Sequence, residues 1–394
     1  MGKKLRIGVL GLQRGNTYVK TIKAGGFADA RVTALCDFNV ERMKHAAENC
    51  PTGRYAPKLF TDADEFFNSG LFDAVILCNY FNEHTDFAVK AMEKGIHVLS
   101  ETMAAPTMAD CVRLCRAAEK KKAVYMLAEN YPYTKTNMEM KRLYDEGTLG
   151  KLIFGEGEYV HMMSPDDVKK YLSPEAVGPN HWRRWMPVTY YSSHALAPLM
   201  YVTGEMPKRV VAMAAMDTPE HLKEGTGRVR PEAAGVMLVT TDKDAVLRVN
   251  GSSYMAPRSN WFRIACSRGG AETVRGKGST DLRVGYNSWE VPEGRKSDYT
   301  YSPDWPENAA VCDSCGHSGG DYWTVKFFID ACFGRRKPFP DVYESCAMSA
   351  VAILGWRSIC NGNMAYDIPD FRDENVRVLW QDDRLNPFQP YKNI

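Results

Sequence analysis

Leu5-Arg6-Ile7-Gly8-Val9-Leu10-Gly11-Leu12-Gln13-Arg14-Gly15 and, after a helical stretch, Val32-Thr33-Ala34-Leu35-Cys36-Asp37 decide the fold of this chain. An apolar run, a glycine turn, a helix and a second apolar run ending on an acidic residue is the order of a dinucleotide-binding βαβ unit. Gly11 permits a tight turn, and Gly15 permits the following helix to come close. The helix N-terminus then offers unpaired N–H groups to a pyrophosphate. Asp37 falls about 20 residues beyond the turn, where a carboxylate holds a ribose 2′-OH. Its charge repels a 2′-phosphate, so the expected cofactor is NAD rather than NADP. Gln13 takes the place of the middle glycine of G-x-G-x-x-G, and the last spacing is one residue short. Gly11, Gln13, Arg14, Gly15 and Asp37 are the first cofactor-binding candidates.

The alternation continues outward from this unit. Asp73–Cys78, Ile96–Leu99 and Ala123–Leu127 are short apolar runs of the kind buried on both faces of a parallel sheet. Helical stretches His84–Lys94 and Thr107–Lys122 separate them, the second with lysines in its last turn. Residues 1–128 therefore read as a doubly wound parallel sheet of about six strands. After residue 129 the pattern changes. Tyr133–Glu146 reads as a helix. Leu152–His161, Arg209–Ala215, Ala234–Thr241, Ala245–Tyr254 and Trp261–Cys266 follow with partial alternation, which predicts a mostly antiparallel sheet with one open face. Helices Asp321–Phe333 and Val342–Cys360 precede an irregular tail. Lys277–Asn308, rich in Gly, Ser and Pro, reads as a long surface loop. The expected class is α/β: a Rossmann domain over 1–128 and a substrate-binding α+β domain over 129–394.

Composition narrows the class of activity. The 394 residues exceed one ordinary core, and a formal charge of +2 gives no general attraction to nucleic acid or membrane surface. Met1-Gly2-Lys3-Lys4 leads straight into the first strand without a signal peptide, and the eleven cysteines read as reduced thiols, so a cytoplasmic location is expected. Cys312-Asp313-Ser314-Cys315-Gly316-His317 has no second ligand pair nearby, so no metal is expected.

Ligands bind outside the carboxyl ends of the strands in an open parallel sheet. This selects Asn79, His84, Glu101, Asn130 and Tyr133 beside the first loop. In this arrangement the chain resembles the Gfo/Idh/MocA oxidoreductases over essentially its whole length. That resemblance implies bound NAD or NADP and an open-faced substrate domain. The family's ordinary dehydrogenases carry Glu-Lys-Pro after the fifth strand, with the lysine assisting proton transfer. Here the residues are Glu101-Thr102-Met103, so the lysine is absent.

Glycoside hydrolase family 109, a branch of NAD-dependent glycosidases, also lacks it. Glu129-Asn130-Tyr131-Pro132-Tyr133 resembles that branch's Glu-Asn-x-x-Tyr. Tyr191-Ser192-Ser193-His194-Ala195-Leu196-Ala197-Pro198 resembles Tyr-Pro-Thr-His-Gly-Leu-Gly-Pro. Gly316-His317-Ser318-Gly319-Gly320-Asp321 resembles Gly-His-Gly-Gly-Met-Asp. Ala195 and Ala197 replace the branch's glycines beside His194, so galactosaminide specificity is not carried over. The resemblance implies redox-neutral hydrolysis of a sugar glycoside: transient oxidation at C3, deprotonation at C2, elimination at C1 and water addition. A pair of carboxylates is then unnecessary. Proton transfer calls for groups such as His194 and Tyr133, with Tyr191 one turn before His194. Glu101, Trp182, Arg183, Tyr191 and His317 are the candidate sugar contacts. The alternative is an NAD-dependent sugar dehydrogenase that releases a 3-keto sugar. A nucleotide-sensing regulator would need a basic DNA-reading element, and none is visible. The open sheet face suits a homo-oligomer.

Overall fold

The computed structural model describes residues 4–173, 181–216, 232–252, 257–277 and 280–388. The chain divides into two compact units. The first comprises Met1–Thr134, Trp305–Cys346 and Phe371–Asp382; the second comprises Lys135–Asp304, Ala347–Asp370 and Asp383–Ile394.

The first unit is built on strands β1 (Leu5–Leu10), β2 (Ala30–Cys36), β3 (Lys58–Phe60), β4 (Ala74–Leu77), β5 (His97–Ser100) and β6 (Tyr125–Leu127). They form a parallel sheet in the order β3-β2-β1-β4-β5-β6, whose direction of winding reverses between β1 and β4. Ile7, Val9, Leu35, Val75, Ile76 and Leu99 have no more than 0% exposure, because helices cover both faces. Those helices are α1 (Leu12–Gly25), α2 (Val40–Ala47), α3 (Ala63–Asn68), α4 (His84–Glu93) and α5 (Met108–Lys121). Their starts are set by side chains that accept otherwise orphaned backbone N–H groups: Asn39 from Arg42, Asp62 from Glu65, Thr107 from Asp110.

The second unit carries β7 (Leu152–Val160), β8 (Pro207–Ala215), β9 (Ala234–Thr241), β10 (Val246–Ser252), β11 (Ser259–Cys266), β12 (Gly269–Thr273), β13 (Leu282–Tyr286), β14 (Asp298–Tyr301) and β15 (Tyr366–Asp367). Their order is β14-β13-β12-β11-β7-β10-β9-β8-β15, antiparallel throughout except for the β7–β10 pair. On β9 the buried Met237 and Val239 alternate with the exposed Val236 and Leu238, so one face is open. The helices of this unit are α6 (Lys135–Asp145), α7 (Pro165–Tyr171), α8 (Trp182–Trp185) and α9 (Ser193–Thr203). Beyond them lie α10 (Ala309–Ser314), α11 (Gly320–Cys332), α12 (Val342–Cys360) and α13 (Glu374–Trp380). The division between the units falls within α12, after Cys346.

The α/β architecture is the one expected, with two local corrections. Lys277–Asn308 is not a loop throughout: it contains β13 and β14, joined by the Arg283–Asp298 ion pair across their ladder. The helix expected from Tyr133 begins at Lys135, because Tyr131–Tyr133 forms a separate 3₁₀ turn around Pro132. Tyr254, the expected end of a strand, lies outside the described residues. No helix among the described residues is long and apolar enough to cross a membrane.

Candidate active site

In the first unit the strand ends converge. Gly11 adopts φ +83°, and a Cβ there would stand 2.5 Å from the Cys78 carbonyl carbon, so only glycine permits the crossing of β1 and β4. The helix begins at once with Leu12, which makes Gln13 an exposed first-turn residue rather than part of a loop; Gly15 is buried in the same turn. Asp37 is buried at the end of β2. One of its oxygens accepts from the Leu12 N–H at 2.6 Å, and the other from the Asn39 N–H at 2.8 Å. This carboxylate therefore stands at the positive end of α1.

Among the described residues of this unit, the buried acceptors without a hydrogen-bond partner include the Oδ1 atoms of Asn16, Asn79 and Asn130. Buried acceptors of this kind are costly unless a donor reaches them. Their places, in the second turn of α1 and just after β4 and β6, suit the hydroxyl and amide donors of a dinucleotide.

His84 opens α4, just after β4. It is 2% exposed, with Nδ1 3.1 Å from the Met103 carbonyl and Nε2 3.2 Å from the Asn79 carbonyl. Burial lowers its pKa against the opposing pull of those carbonyls. The ring lies between the loops after β4 and β5, and a neutral imidazole donates its one N–H to one of these two carbonyls. Tyr133 lies in the 3₁₀ turn after β6. It is wholly buried, its hydroxyl donates to the Phe339 carbonyl, and its ring meets Phe327 edge-on at 5.0 Å.

Arg14 and Glu101, expected separately at the cofactor, pair with each other at 2.8 Å. Burial alone would raise the Glu101 pKa; the Arg14 charge and a hydrogen bond from Tyr18 outweigh it and hold the carboxylate below its ordinary range. Arg14 also reaches Asp321 at 2.7 Å, and Asp321 in turn meets His317 Nδ1 at 3.0 Å. Asp321 escaped the sequence reading except as part of a motif. Among the described residues no group of three or more side chains is arranged to hold a metal ion.

The second unit gathers a different set. Tyr191 lies in the 3₁₀ turn Val188–Ser192, and His194 opens α9; their rings stack at 5.6 Å. Tyr159 on β7 joins them, 4.6 Å from His194 and 5.9 Å from Tyr191. Gly157 explains the approach, since a Cβ there would lie 2.0 Å from the Ala195 carbonyl oxygen. Two residues farther along the same strand face, Tyr159 meets the helix start. Arg183 lies 4.5 Å over the Trp182 ring and 5.9 Å from that of Tyr191. His161, stacked 6.0 Å from Tyr159, is kept toward its neutral form by burial and by the charges of Arg258 and Arg183. Tyr159 and His161 were missed by the sequence reading. The signal available was the glycine inside a strand, which marks close approach of another backbone.

Comparisons with known proteins agree with this layout. The family described as "Oxidoreductase family, NAD-binding Rossmann fold" matches residues 5–129. The "GFO/IDH/MocA C-terminal domain" matches 137–272, and the "Glycosyl hydrolase 109, C-terminal domain" matches 233–377. A glycosyl hydrolase family 109 protein of Stenotrophomonas maltophilia (strain K279a) is 26% identical, covering 94% of this chain and 89% of its own. An alpha-N-acetylgalactosaminidase of Tannerella forsythia is 25% identical, covering 88% and 82%. Among solved structures, levoglucosan dehydrogenase in complex with NADH and L-sorbose superposes with TM-score 0.77 at 18% identity, covering 94% of this chain and 100% of that one. Aldose-aldose oxidoreductase from Caulobacter crescentus gives 0.73 at 18%, covering 93% and 100%. The first unit thus carries an NAD-binding Rossmann domain, and the chain is similar to the Gfo/Idh/MocA oxidoreductases and, over its C-terminal part, to the glycosyl hydrolase 109 branch.

Proposed function

We propose that this enzyme is an NAD-dependent glycosidase that hydrolyses its substrate without net redox change. The observation that carries the reading is the charge arrangement after β5. Where the family's dehydrogenases place a proton-transferring lysine, this chain has Glu101-Thr102-Met103, and the cation beside Glu101 is Arg14. A guanidinium stays protonated and cannot serve as a base. Proton traffic therefore falls to imidazole and phenol groups. The match to the glycosyl hydrolase 109 C-terminal domain over 233–377 supports the same choice.

Bound NAD supplies a reversible two-electron oxidation of a sugar carbinol. Gly11, Gln13, Gly15, Asp37, Asn79 and Asn130 would hold it, with Asp37 at a ribose and the unpartnered asparagine oxygens accepting from the cofactor. His194, with Tyr159 and Tyr191 against its ring, takes a proton from the sugar. His317, backed by Asp321, exchanges the proton of the leaving group. Trp182 and Arg183 offer a flat face and a cation to the sugar. General acid–base groups of this kind contribute about 10²- to 10⁴-fold each.

The test is a panel of nitrophenyl glycosides with the NAD-loaded enzyme. A glycosidase releases the phenol with no lasting NADH absorbance; a sugar dehydrogenase accumulates NADH with no phenol. We further place a second copy of the chain on the open face of the second unit's sheet, where Met213, Val236 and Leu238 are 65%, 40% and 47% exposed. A sedimentation mass of a single chain would contradict that assembly.

A further inference from the structure

Arg14, Glu101, Asp321 and His317 form one hydrogen-bonded chain inside the first unit. In the first turn of α1, Arg14 donates from Nε to Glu101 Oε1 at 2.8 Å. Its Nη1 and Nη2 donate to the two oxygens of Asp321 at 3.1 and 2.7 Å. Tyr18, one turn farther along, donates to the same Glu101 oxygen at 2.7 Å. Both Asp321 oxygens lie 3.0–3.1 Å from His317 Nδ1. The Asp321 side chain is 0% exposed and that of His317 is 34% exposed. The chain of contacts thus runs from a buried strand end to a ring with an open edge.

The backbone bearing that ring is strained. His317, Ser318 and Gly319 have φ of +53°, +52° and +86°, and the first two are not glycine. Such conformations persist only where the surroundings over-determine them. Here the surroundings are Asp321, in the first turn of α11, and the Tyr131 ring, edge-on to His317 at 5.7 Å. Burial would by itself raise the Asp321 pKa. Its hydrogen bond with His317 and the charge of Arg14 outweigh that and keep it an anion. Arg14 bonds Glu101 through Nε and both oxygens of the buried Asp321 through its two Nη atoms, so this two-pronged contact sets the plane in which Asp321 presents its oxygens.

We propose that Arg14 is a positioning residue for His317, acting through Asp321. The guanidinium fork fixes the carboxylate, the carboxylate holds the proton on Nδ1, and Nε2 is left as the atom that exchanges protons. Lysine cannot replace it, because an ammonium is a point charge without the planar fork. The inference rests on the proton-transfer role given to His317 above.

The test reads the ring itself. Long-range imidazole ¹⁵N spectra of the full chain with NAD are compared for wild type, Arg14→Lys and Asp321→Asn, with His317→Asn identifying the signals. Wild type should show one Nδ1–H tautomer, and both Arg14→Lys and Asp321→Asn should show exchange between tautomers. The kcat of Arg14→Lys should fall about tenfold to a hundredfold with KM little changed, as misplacement of a reacting group predicts. The double variant with His317→Asn should be no slower than His317→Asn alone. An unchanged tautomer in Arg14→Lys and Asp321→Asn, or losses that multiply in the double variant, would overturn the proposal. The spectra need no turnover, so a released tautomer in an enzyme that cleaves no glycoside would refute the glycosidase reading and leave this one standing. Asp321→Asn keeps the side-chain shape, so it supplies the ring readout even where Arg14→Lys melts early.

Discussion

The Tyr159 ring centroid lies 4.6 Å from that of His194, at an interplanar angle of 55°. One residue comes from a strand and the other from the first turn of a helix, so two independent elements fix the imidazole. A base held this way has little freedom to turn. His194→Ala should therefore lower kcat about 10²- to 10⁴-fold, and Tyr159→Phe should lower it by less than His194→Ala if the phenol only orients the ring. Steady-state rates with NAD affinity measured alongside check this. Equal rates in wild type and His194→Ala would remove that residue from the chemistry.

Tyr133 is wholly buried in the first unit. Tyr133→Phe keeps the ring against Phe327 and loses only the bond to the Phe339 carbonyl. Stability should fall by about 0.5–1.5 kcal/mol, with turnover close to wild type. Denaturant titration and initial rates decide the matter together. A large fall in kcat at unchanged stability would return Tyr133 to the proton-transfer groups.

Asp37 should set the preference for NAD. Its charge opposes a 2′-phosphate, and it also accepts from the Leu12 and Asn39 backbone N–H groups. Asp37→Ser should weaken NAD binding and narrow the difference from NADP. Fluorescence titration of both nucleotides measures this, and tighter binding of NADP by wild type would contradict it.

Acid should destabilise the fold partly through His181. Burial, together with the charges of Arg183 and Arg184, lowers its pKa from 6.5 to about 4. As pH falls below 6.5 the unfolded chain takes up the proton first, while the folded chain stays neutral until about 4. The stability contributed by neutral His181 is thus fully present above 6.5 and is lost across that window. Urea midpoints should decline less steeply with acid in His181→Gln than in wild type. Parallel profiles would show that His181 is not a source of the decline.

Much of the first unit was legible because parallel strands buried on both faces read as unbroken apolar runs, as in Ala74–Leu77. β3 was not, since Lys58 and Leu59 are exposed and only Phe60 is buried. β13 and β14 escaped because their pairing is carried partly by Arg283 and Asp298 rather than by apolar alternation. His84 sat at the right strand end, yet position alone does not reveal that both ring nitrogens face carbonyls. The Arg14–Asp321 contact spans 307 residues of sequence, and no local pattern connects its ends. Tyr159 lay inside an alternating run, where its ring looked like any other strand residue until α9 was placed against Gly157.

The central claim is transient oxidation followed by elimination, and isotope incorporation tests it most directly. Elimination requires the C2–H bond to break, whereas direct displacement at C1 leaves it intact. Turnover of a nitrophenyl glycoside in heavy water, with the NAD-loaded enzyme, should release the phenol without net NADH and place deuterium at C2 of the freed sugar. Phenol release with C2 still fully protonated, and with no rate difference between the glycoside and its C2-deuterated form, would contradict the account.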